Sequence, residues 1–373
     1  MYISSTNLIS QKVASYSYPT QNNSVVANQV ATPTFSGNLI SQYLESVAKL
    51  NAPIVNKPSE VEKVSAVEAD KKPYKNNLKT LLLTNSANIM AIIPRTFNSK
   101  DTNGNEYIDG AEQCGTFLNA IERLDEMKDL GINTLHLLPI NTPGKNNAKG
   151  IAGSVYAPED LLEIDPMLID KNDPRSDIEQ FKAFVDACHD RDIRVMVDLP
   201  SCASFDLYNA KPELMAKERN GMPKTPQGWQ DIRMFQPWKD EGKRTLNPEL
   251  LEYHRKFVDI MIDAGVDGIR ADVARAKPVE FWDIIIPYSR KRDPEFGWLA
   301  ETYTYEDASP QANMPYDRPE DSLRAGFDTY YGQYHIFHEW TTAKDLHDYV
   351  IDNLNMSYRV ERGKSLIGSF ATH

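Results

Sequence analysis

The sequence predicts an α/β protein built as a (β/α)8 TIM-type barrel. From residue 87 onward, short and nearly continuous apolar runs alternate with helical patterns, which is typical of parallel strands covered by helices. Two successive runs end in carboxylates, at Asp272 and Glu301, and barrel folds carry their chemistry at the carboxyl ends of strands. No glycine-rich phosphate fingerprint follows any strand, so a doubly wound open sheet is the second choice.

Each predicted element rests on the spacing of its apolar residues. Helices are assigned where apolar residues recur three or four positions apart, and strands where short apolar runs stand between polar breaks. The predicted strands cover residues 89–93, 132–138, 193–197, 266–272, 296–301, 326–330 and 365–370. The predicted helices cover residues 117–127, 178–188, 251–262, 279–288 and 343–354. This order fits a barrel that stops after its seventh strand.

Two regions depart from the alternating pattern. Residues 1–78 are rich in Ser, Asn, Gln and Thr and are predicted to be a disordered leader, apart from a short amphipathic helix near residues 39–50. Residues 79–373 form the predicted barrel. Within it, residues 199–247 separate the third strand from its helix, which is too long for a simple loop. We predict a small inserted domain there, which would form one wall of an active-site cleft.

Composition narrows the classes of partner. The 373 residues include 53 acidic and 41 basic side chains, for a formal net charge of −12. This charge argues against nucleic acid but not against a neutral ligand such as a sugar. The three cysteines favour free thiols and a reducing compartment. The sequence has no apolar run long enough for a membrane span and no apolar segment typical of a secretory signal, so a cytoplasmic location is expected.

The two strand-end carboxylates are the candidate chemistry. Glycoside hydrolysis or transfer needs at least one pair of carboxylates, and these two are suitably placed. Arg270 lies two residues before Asp272, on the same face of the strand, and can keep that carboxylate ionised. The alternative is a salt bridge at the barrel rim beside a solvated Glu301. Asp328, at the end of the sixth predicted strand, could line the cleft or cap the next helix.

Several motifs together resemble the α-amylase family of retaining α-glucan enzymes, over roughly residues 87–373. The segments that carry the resemblance follow one another in the family's order. They are Ser154-Val155-Tyr156 with Asp160 and Ile164-Asp165-Pro166, Val195-Met196-Val197-Asp198, Gly268-Ile269-Arg270-Ala271-Asp272, Trp298-Leu299-Ala300-Glu301, and Ser369-Phe370-Ala371-Thr372-His373.

The resemblance implies a role for each matching residue. Asp272 would be the nucleophile, Glu301 the general acid and then base, and Arg270 the group that orients Asp272. The remaining roles concern the sugar: Tyr156 would stack on it, Asp198 would anchor the site and His373 would bind it. The implied mechanism is double displacement on an α-glucan or maltooligosaccharide, with the two carboxyl groups about 5–5.5 Å apart.

The chain also departs from the family pattern. Cys202 and Ala203 stand where the first motif normally has Asn and His, and Ala276 stands where a His is common. The sequence ends at His373, just before the position of the family's third carboxylate. We therefore expect the 373-residue polypeptide to have little or no activity. The alternatives are a catalytically dead or truncated barrel that binds glycan, and a fragment of a longer active enzyme.

A loop after the first strand has the ligand spacing of a calcium site. Asp101, Asn103, Asn105 and Asp109 occupy positions 1, 3, 5 and 9, and the backbone carbonyl of Tyr107 occupies position 7. The glycine stands at position 4 rather than 6, so the loop is not a regular EF-hand. A similar loop binds Ca²⁺ in some members of the resembling family. We predict a structural Ca²⁺ site that braces the barrel rim; Asx turns without metal are the alternative.

Overall fold

The structure is a computed structural model that describes residues 76–109, 112–226, 228–302, 319–331, 341–345 and 347–348. Its strands are β1 (Ile89–Ile92), β2 (Thr134–Leu137), β3 (Arg194–Leu199), β4 (Cys202–Ala203), β5 (Arg233–Met234), β6 (Trp238–Asp240), β7 (Thr245–Leu246), β8 (Gly268–Ala271), β9 (Gly297–Glu301) and β10 (Thr329–Tyr331). The main sheet has the order β1-β2-β3-β8-β9-β10, and every neighbouring pair is parallel. The barrel class is confirmed as a parallel half-barrel sheet.

The first helix precedes β1, and the other described helices lie between successive strands of the main sheet. The helices are α1 (Leu78–Leu83), α2 (Pro94–Phe97), α3 (Phe117–Ala120), α4 (Leu124–Asp129), α5 (Asp177–His189), α6 (Phe205–Ala210), α7 (Pro248–Asp263), α8 (Val279–Arg292) and α9 (Pro319–Ala325). The long helices begin where the sequence supplies caps. Ser176 and Glu179 form a capping box on α5, and Asn247 caps α7 ahead of Pro248.

The predicted elements can be compared with this architecture one by one. The six predicted strands between residues 89 and 330 correspond to β1, β2, β3, β8, β9 and β10, with shifts of a few residues at their ends. The predicted helix at residues 117–127 is divided by a 3₁₀ turn, Ile121–Arg123. The predicted strand 365–370 lies outside the described residues, as do the leader up to residue 75 and the helix predicted near residues 39–50.

The two faces of the sheet have different partners because side chains alternate along a strand. Val195, Val197 and Ile269 belong to the large apolar core that also contains the faces of the helices. Met196 and Leu299, on the opposite face, pack with helix α1 in a separate small cluster. This inner face also carries Asp198 and Arg270, because they lie two residues beyond Met196 and Gly268.

Helix α1 packs against the amino-terminal ends of β8 and β9. Gly268 and Gly297 make this possible, because a Cβ atom at Gly268 would lie 2.7 Å from Leu78 Cδ2, and one at Gly297 would lie 2.9 Å from Leu78 Cγ. Leu78 itself is fully buried. Helix α1 was not predicted from the sequence. The predicted end of the leader, at residue 78, falls at the first residue of this helix.

Residues 200–247 contain short antiparallel pairs. Strand β4 pairs with β5 and strand β6 pairs with β7, and α6 lies between β4 and β5 along the chain. In the described parts of the chain, no helix has both the length and the apolar character needed to cross a bilayer.

Candidate active site

Three carboxylates surround the guanidinium of Arg270 at the carboxyl ends of β3, β8 and β9. Arg270 Nη1 donates to both oxygens of Asp198 at 2.9 Å and to Asp272 Oδ1 at 3.0 Å. Arg270 Nη2 lies 2.6 Å from Glu301 Oε2. We call these four residues, Asp198, Arg270, Asp272 and Glu301, the strand-end cluster. The side chain of Asp272 is the most exposed of the four, at 12%.

The strand register explains why these residues meet. Asp198 on β3 and Arg270 on β8 are partners in the parallel ladder. Asp272 follows Arg270 by two residues and therefore projects from the same face. Glu301 is the last residue of β9, the next strand in the sheet. The predicted meeting of Arg270, Asp272 and Glu301 is thus a direct result of pairing between neighbouring strands.

Asp198 lies at the buried base of the cluster. Besides Arg270, its Oδ2 accepts a hydrogen bond from the Tyr156 hydroxyl at 2.9 Å and lies 3.2 Å from His136 Nε2. Burial opposes ionisation of Asp198, but the charge of Arg270 and the contact with His136 outweigh it, and the net effect lowers the pKa of Asp198. Burial and the neighbouring Asp198 charge raise the pKa of Tyr156. Tyr156 therefore remains a neutral donor whose ring lies 5.9 Å from Arg270 Cζ.

Asp272 has a second set of donors on the side away from Arg270. The backbone N–H and the hydroxyl of Ser201 both donate to Asp272 Oδ2, at 3.0 and 2.7 Å. The carbonyl oxygen of Ser201 accepts a bond from Lys277 Nζ at 3.2 Å. Burial lowers the pKa of Lys277 to about 8, against the opposing influence of Cys202 and Asp272. Each oxygen of the Asp272 carboxylate thus has its own donor.

The backbone turns sharply after the candidate nucleophile. Val273 has a φ of +34° and a ψ of 64°, a left-handed conformation that is unusual for a β-branched residue. Such a residue costs on the order of 1–3 kcal/mol. In this conformation the Val273 N–H donates to Glu301 Oε2 at 2.8 Å. The strained turn therefore links the Asp272 segment directly to Glu301.

The structure brings together five of the six sugar-site residues that the sequence analysis named. Arg270, Asp272 and Glu301 meet as described, with Asp198 and Tyr156 beside them, while His373 lies outside the described residues. Three further members, His136, Ser201 and Lys277, were missed. His136 had a usable signal, since it stands between Leu135 and Leu137 in a predicted strand.

The two residues that depart from the family's first motif form a short strand. Cys202 and Ala203 form β4, are almost completely buried, and pair with Met234 and Arg233. Asp328 does not end a strand, because β10 begins at the next residue. Its carboxylate instead accepts bonds from Arg290 Nη2 at 2.7 Å and the Trp298 N–H at 2.8 Å.

The candidate metal loop contains hydrogen-bonded turns. Asp101 accepts the N–H groups of Gly104 and Glu106. The amide groups of Asn103 and Asn105 donate to Asp109. The Tyr107 side chain is 74% exposed. Among the described residues, no group of three or more His, Cys, Asp or Glu side chains could hold a metal ion.

Sequence comparison finds relatives that include a maltosyltransferase, a cyclomaltodextrinase and a maltogenic amylase. Alpha-1,4-glucan:maltose-1-phosphate maltosyltransferase of Cereibacter sphaeroides is 26% identical over 263 residues, which are 65% of this chain and 36% of the relative. Intracellular maltogenic amylase of Bacillus subtilis is 28% identical over 202 residues, which are 50% of this chain and 30% of the relative. The chain spans about a third of the length of the curated relatives it matches. No family model matches the chain.

Solved structures agree with these relatives. An α-amylase from Lactobacillus plantarum has a TM-score of 0.55 at 26% identity, covering 71% of this chain and 58% of the other. A maltogenic α-amylase from Thermotoga neapolitana has a TM-score of 0.53 at 25% identity, covering 74% and 57%. The fold and the site define a parallel β/α half-barrel with two carboxylates, Asp272 and Glu301, at the carboxyl ends of neighbouring strands. By sequence and by structure, the chain is therefore similar to proteins of the α-amylase family.

Proposed function

We propose that the protein is a retaining α-glucan hydrolase or glucanotransferase that works by double displacement. The observation that carries the proposal is the strand-end cluster, in which a single buried guanidinium contacts Asp198, Asp272 and Glu301. A rim salt bridge would not need three carboxylates, since each buried carboxylate without its own counter-charge is costly. Hydrolysis and transfer use the same two carboxylates, and they differ in whether water or a sugar hydroxyl attacks in the second step.

The proposed reaction has two displacements. In the first, Asp272 forms a bond to the anomeric carbon while the glycosidic C–O bond breaks, and Glu301 gives its proton to the departing oxygen. In the second, water or a sugar hydroxyl attacks the anomeric carbon and gives its proton to Glu301. The bond to Asp272 then breaks and its electron pair returns to the carboxylate. Arg270 holds Asp272 ionised throughout.

The proposed substrates are α-glucans or maltooligosaccharides. The names of the relatives support this class, because they include a maltosyltransferase acting on α-1,4-glucan, a cyclomaltodextrinase and a maltogenic amylase. The formal net charge of −12 is compatible with a neutral glycan and unfavourable for nucleic acid. Tyr156, next to Asp198 and Arg270, is the proposed contact for the bound sugar.

The experiment uses α-maltosyl fluoride as donor and maltooligosaccharides as acceptors, with fluoride release and product mass as measurements. The sequence predicts little activity for these 373 residues, and the activated fluoride donor makes weak turnover measurable. Relative to the unaltered chain, we expect Asp272→Asn and Glu301→Gln to lose all measurable turnover of maltooligosaccharides, because loss of a nucleophile or acid costs on the order of 1,000-fold. The Glu301 variant should retain more activity on the fluoride, whose departure needs little acid assistance. Asp283→Asn, on an exposed part of α8, is the matched control.

Two outcomes would contradict the proposal. One is turnover that survives loss of Asp272. The other is tight binding of maltooligosaccharides, measured by calorimetry, with no fluoride release by the unaltered chain. The second outcome would favour a barrel that binds glycan without cleaving it.

We also propose that residues 199–247 form a small inserted domain that walls one side of the cleft. Its support is local: Ser201 contacts Asp272, and the Phe235 ring lies 5.0 Å from Lys277 Nζ. Trp229 is 54% exposed on this segment and could contact a long glucan. Trp229→Ala should then raise KM for long maltooligosaccharides several-fold while leaving α-maltosyl fluoride turnover unchanged. Equal effects on both substrates would contradict the proposal.

We propose Ca²⁺ as a structural ligand of the loop that contains Asp101, Asn103, Asn105, Tyr107 and Asp109. Carboxylate, amide and backbone carbonyl oxygens are the ligands that calcium prefers, so the donor chemistry fits. Titration of the protein with CaCl₂ should release or absorb heat and raise Tm by mass action. The double variant Asp101→Asn, Asp109→Asn should lose both responses, whereas Asp283→Asn should keep them. Identical responses in the double variant would place calcium elsewhere.

A further inference from the structure

Ser201 is the residue that completes the environment of the candidate nucleophile. Its hydroxyl lies 2.7 Å and its backbone N–H 3.0 Å from Asp272 Oδ2, while Arg270 serves Oδ1. Hydrogen bonds to an ionised acceptor are shorter and stronger than bonds between neutral groups. Ser201 therefore contributes two such bonds to Oδ2, the other oxygen of the carboxylate.

Ser201 is held in place by the strand pairing of the next residue and by a hydrogen bond to its backbone carbonyl. It is 4% exposed, and the next residue, Cys202, begins β4 and pairs with Met234. Its carbonyl accepts a bond from Lys277 Nζ, and Lys277 is 3% exposed. The ammonium group of Lys277 also lies 5.0 to 6.0 Å from the centres of three aromatic rings, those of Phe235, Phe281 and Trp282.

The single hydroxyl proton of Ser201 has two acceptors within reach. Asp272 Oδ2 is 2.7 Å away and Cys202 Sγ is 3.7 Å away. A carboxylate is the stronger and closer acceptor, so the proton points to Asp272. Burial raises the pKa of Cys202 to about 12, so its thiol stays neutral and is a weaker acceptor than the Asp272 carboxylate. The hydroxyl is thereby oriented toward the nucleophile.

We propose that Ser201 is a positioning residue, anchored by Lys277, that stabilises Asp272 as the leaving carboxylate in the second displacement. The inference rests on the proposed function and assigns a step to a residue outside the pattern of the family's motifs. In that step, water or a sugar hydroxyl attacks the anomeric carbon and gives its proton to Glu301. The bond between that carbon and Asp272 breaks, and the electron pair returns to the carboxylate that Ser201 contacts.

The two displacements should depend on Ser201 to different extents. In the first, the carboxylate loses charge as it forms its bond to carbon, so the bonds from Ser201 weaken on the way to the transition state. In the second, the charge returns and the same bonds strengthen. Only interactions that are stronger in the transition state accelerate a step. Ser201 should therefore speed the second displacement and should not speed the first.

The experiment compares Ser201→Ala with the unaltered chain on α-maltosyl fluoride. A rapid phase of fluoride release reports the first step, and intact-protein mass spectrometry reports the fraction of protein that carries a maltosyl group. In Ser201→Ala we expect breakdown of the maltosyl-protein to slow roughly 10- to 100-fold, the usual effect of losing a hydrogen bond to a charged group. The rapid phase should change by less than about 3-fold, and the maltosylated protein should accumulate.

Two further variants separate this role from an effect on folding. Ser201→Thr keeps the hydroxyl and should restore most of the rate of breakdown. Ser289→Ala removes another buried hydroxyl, on α8, which accepts the Trp298 indole N–H at 2.9 Å; it should lower Tm without any accumulation of maltosylated protein.

The outcomes are distinguishable. If the unaltered chain releases no fluoride, the proposed function itself is wrong. If it does, and Ser201→Ala breaks down the intermediate at the unaltered rate or slows both steps equally, the assignment to Ser201 is overturned. Accumulation in Ser289→Ala, or failure of Ser201→Thr to recover, would overturn it as well.

Discussion

The strand-end cluster and the loop at residues 101–109 are both groups of acidic and amide side chains, but they are held in opposite ways. In the cluster, Arg270 contacts Asp198, 72 positions away, with both side chains almost completely buried. In the loop, the bonds span 10 positions or fewer, and the side chains are exposed. The strand-end cluster therefore exists only when the sheet is formed, whereas the bonds of the loop can form within a short segment by itself.

The difference in burial also decides how much each group contributes to the free energy of unfolding. Water screens the loop's charges, so loss of one partner changes little. The cluster lies where screening is weak, and one guanidinium offsets three carboxylates. We therefore expect variants of the cluster to change the stability of the whole protein and variants of the loop to have local effects.

The largest expected effect comes from Arg270→Met. Removing the guanidinium leaves buried carboxylates without their counter-charge, which should lower the free energy of unfolding by about 3–5 kcal/mol. Urea unfolding at pH 7 measures this change. Arg175→Met is the matched control, because Arg175 pairs with Asp173 at a side-chain exposure of 44%, and exposed pairs contribute only about 0–1 kcal/mol. Equal losses in the two variants would contradict the comparison.

The next effect concerns Lys277 and has a defined dependence on pH. Burial lowers its pKa to about 8 from 10.5, so between these values the unfolded chain binds the proton that the folded protein has released. The free energy of unfolding should therefore rise with pH across this window, by about 3 kcal/mol from this group. Below pH 8 the cost of the buried charge is fully present, and above 10.5 it is absent.

The difference between the unaltered chain and Lys277→Met isolates this contribution. Between pH 7 and pH 10.5, the free energy of unfolding of the unaltered chain should rise by about 3 kcal/mol relative to that of Lys277→Met, as measured by urea unfolding. Lys243→Met serves as control, since the Lys243 side chain is 81% exposed. A difference that does not vary with pH would show that folding does not lower the pKa of Lys277 from 10.5.

The smallest effect is expected from Glu112→Gln. Glu112 accepts the Thr102 N–H at 2.6 Å, the Thr102 hydroxyl at 2.8 Å and the Asn103 N–H at 2.9 Å. The Thr102 hydroxyl and the Asp109 N–H hold its pKa below the usual value, so these bonds weaken as pH falls through that pKa. In the absence of calcium, the variant should leave the urea midpoint almost unchanged. Proteolytic cleavage between residues 101 and 112 should become faster, and a large loss of global stability would contradict this prediction.

The same contrast explains which site residues sequence reasoning could find. Asp272 and Glu301 were found because each ends an apolar run, and Arg270 because it shares a strand face with Asp272. Ser201 and Lys277 gave no such signal, since their roles depend on contacts with residues far away or on a different element. Ser201 meets Asp272 across 71 positions, and Lys277 meets Ser201 across 76.

The sequence by itself determined the period of the long helices and of the main-sheet strands, the carboxylates at the strand ends and the spacing of oxygen ligands in the loop. These are local properties, set by side-chain size, polarity and the two-residue repeat of a strand. The tertiary structure decided that β3 and β8 are neighbours, although 68 residues separate Leu199 from Gly268. It also decided that Ser201 reaches Asp272 and that α1 packs below Gly268. These contacts depend on which strands pair and at what register, and that choice is made by burial of the whole core rather than by any one segment.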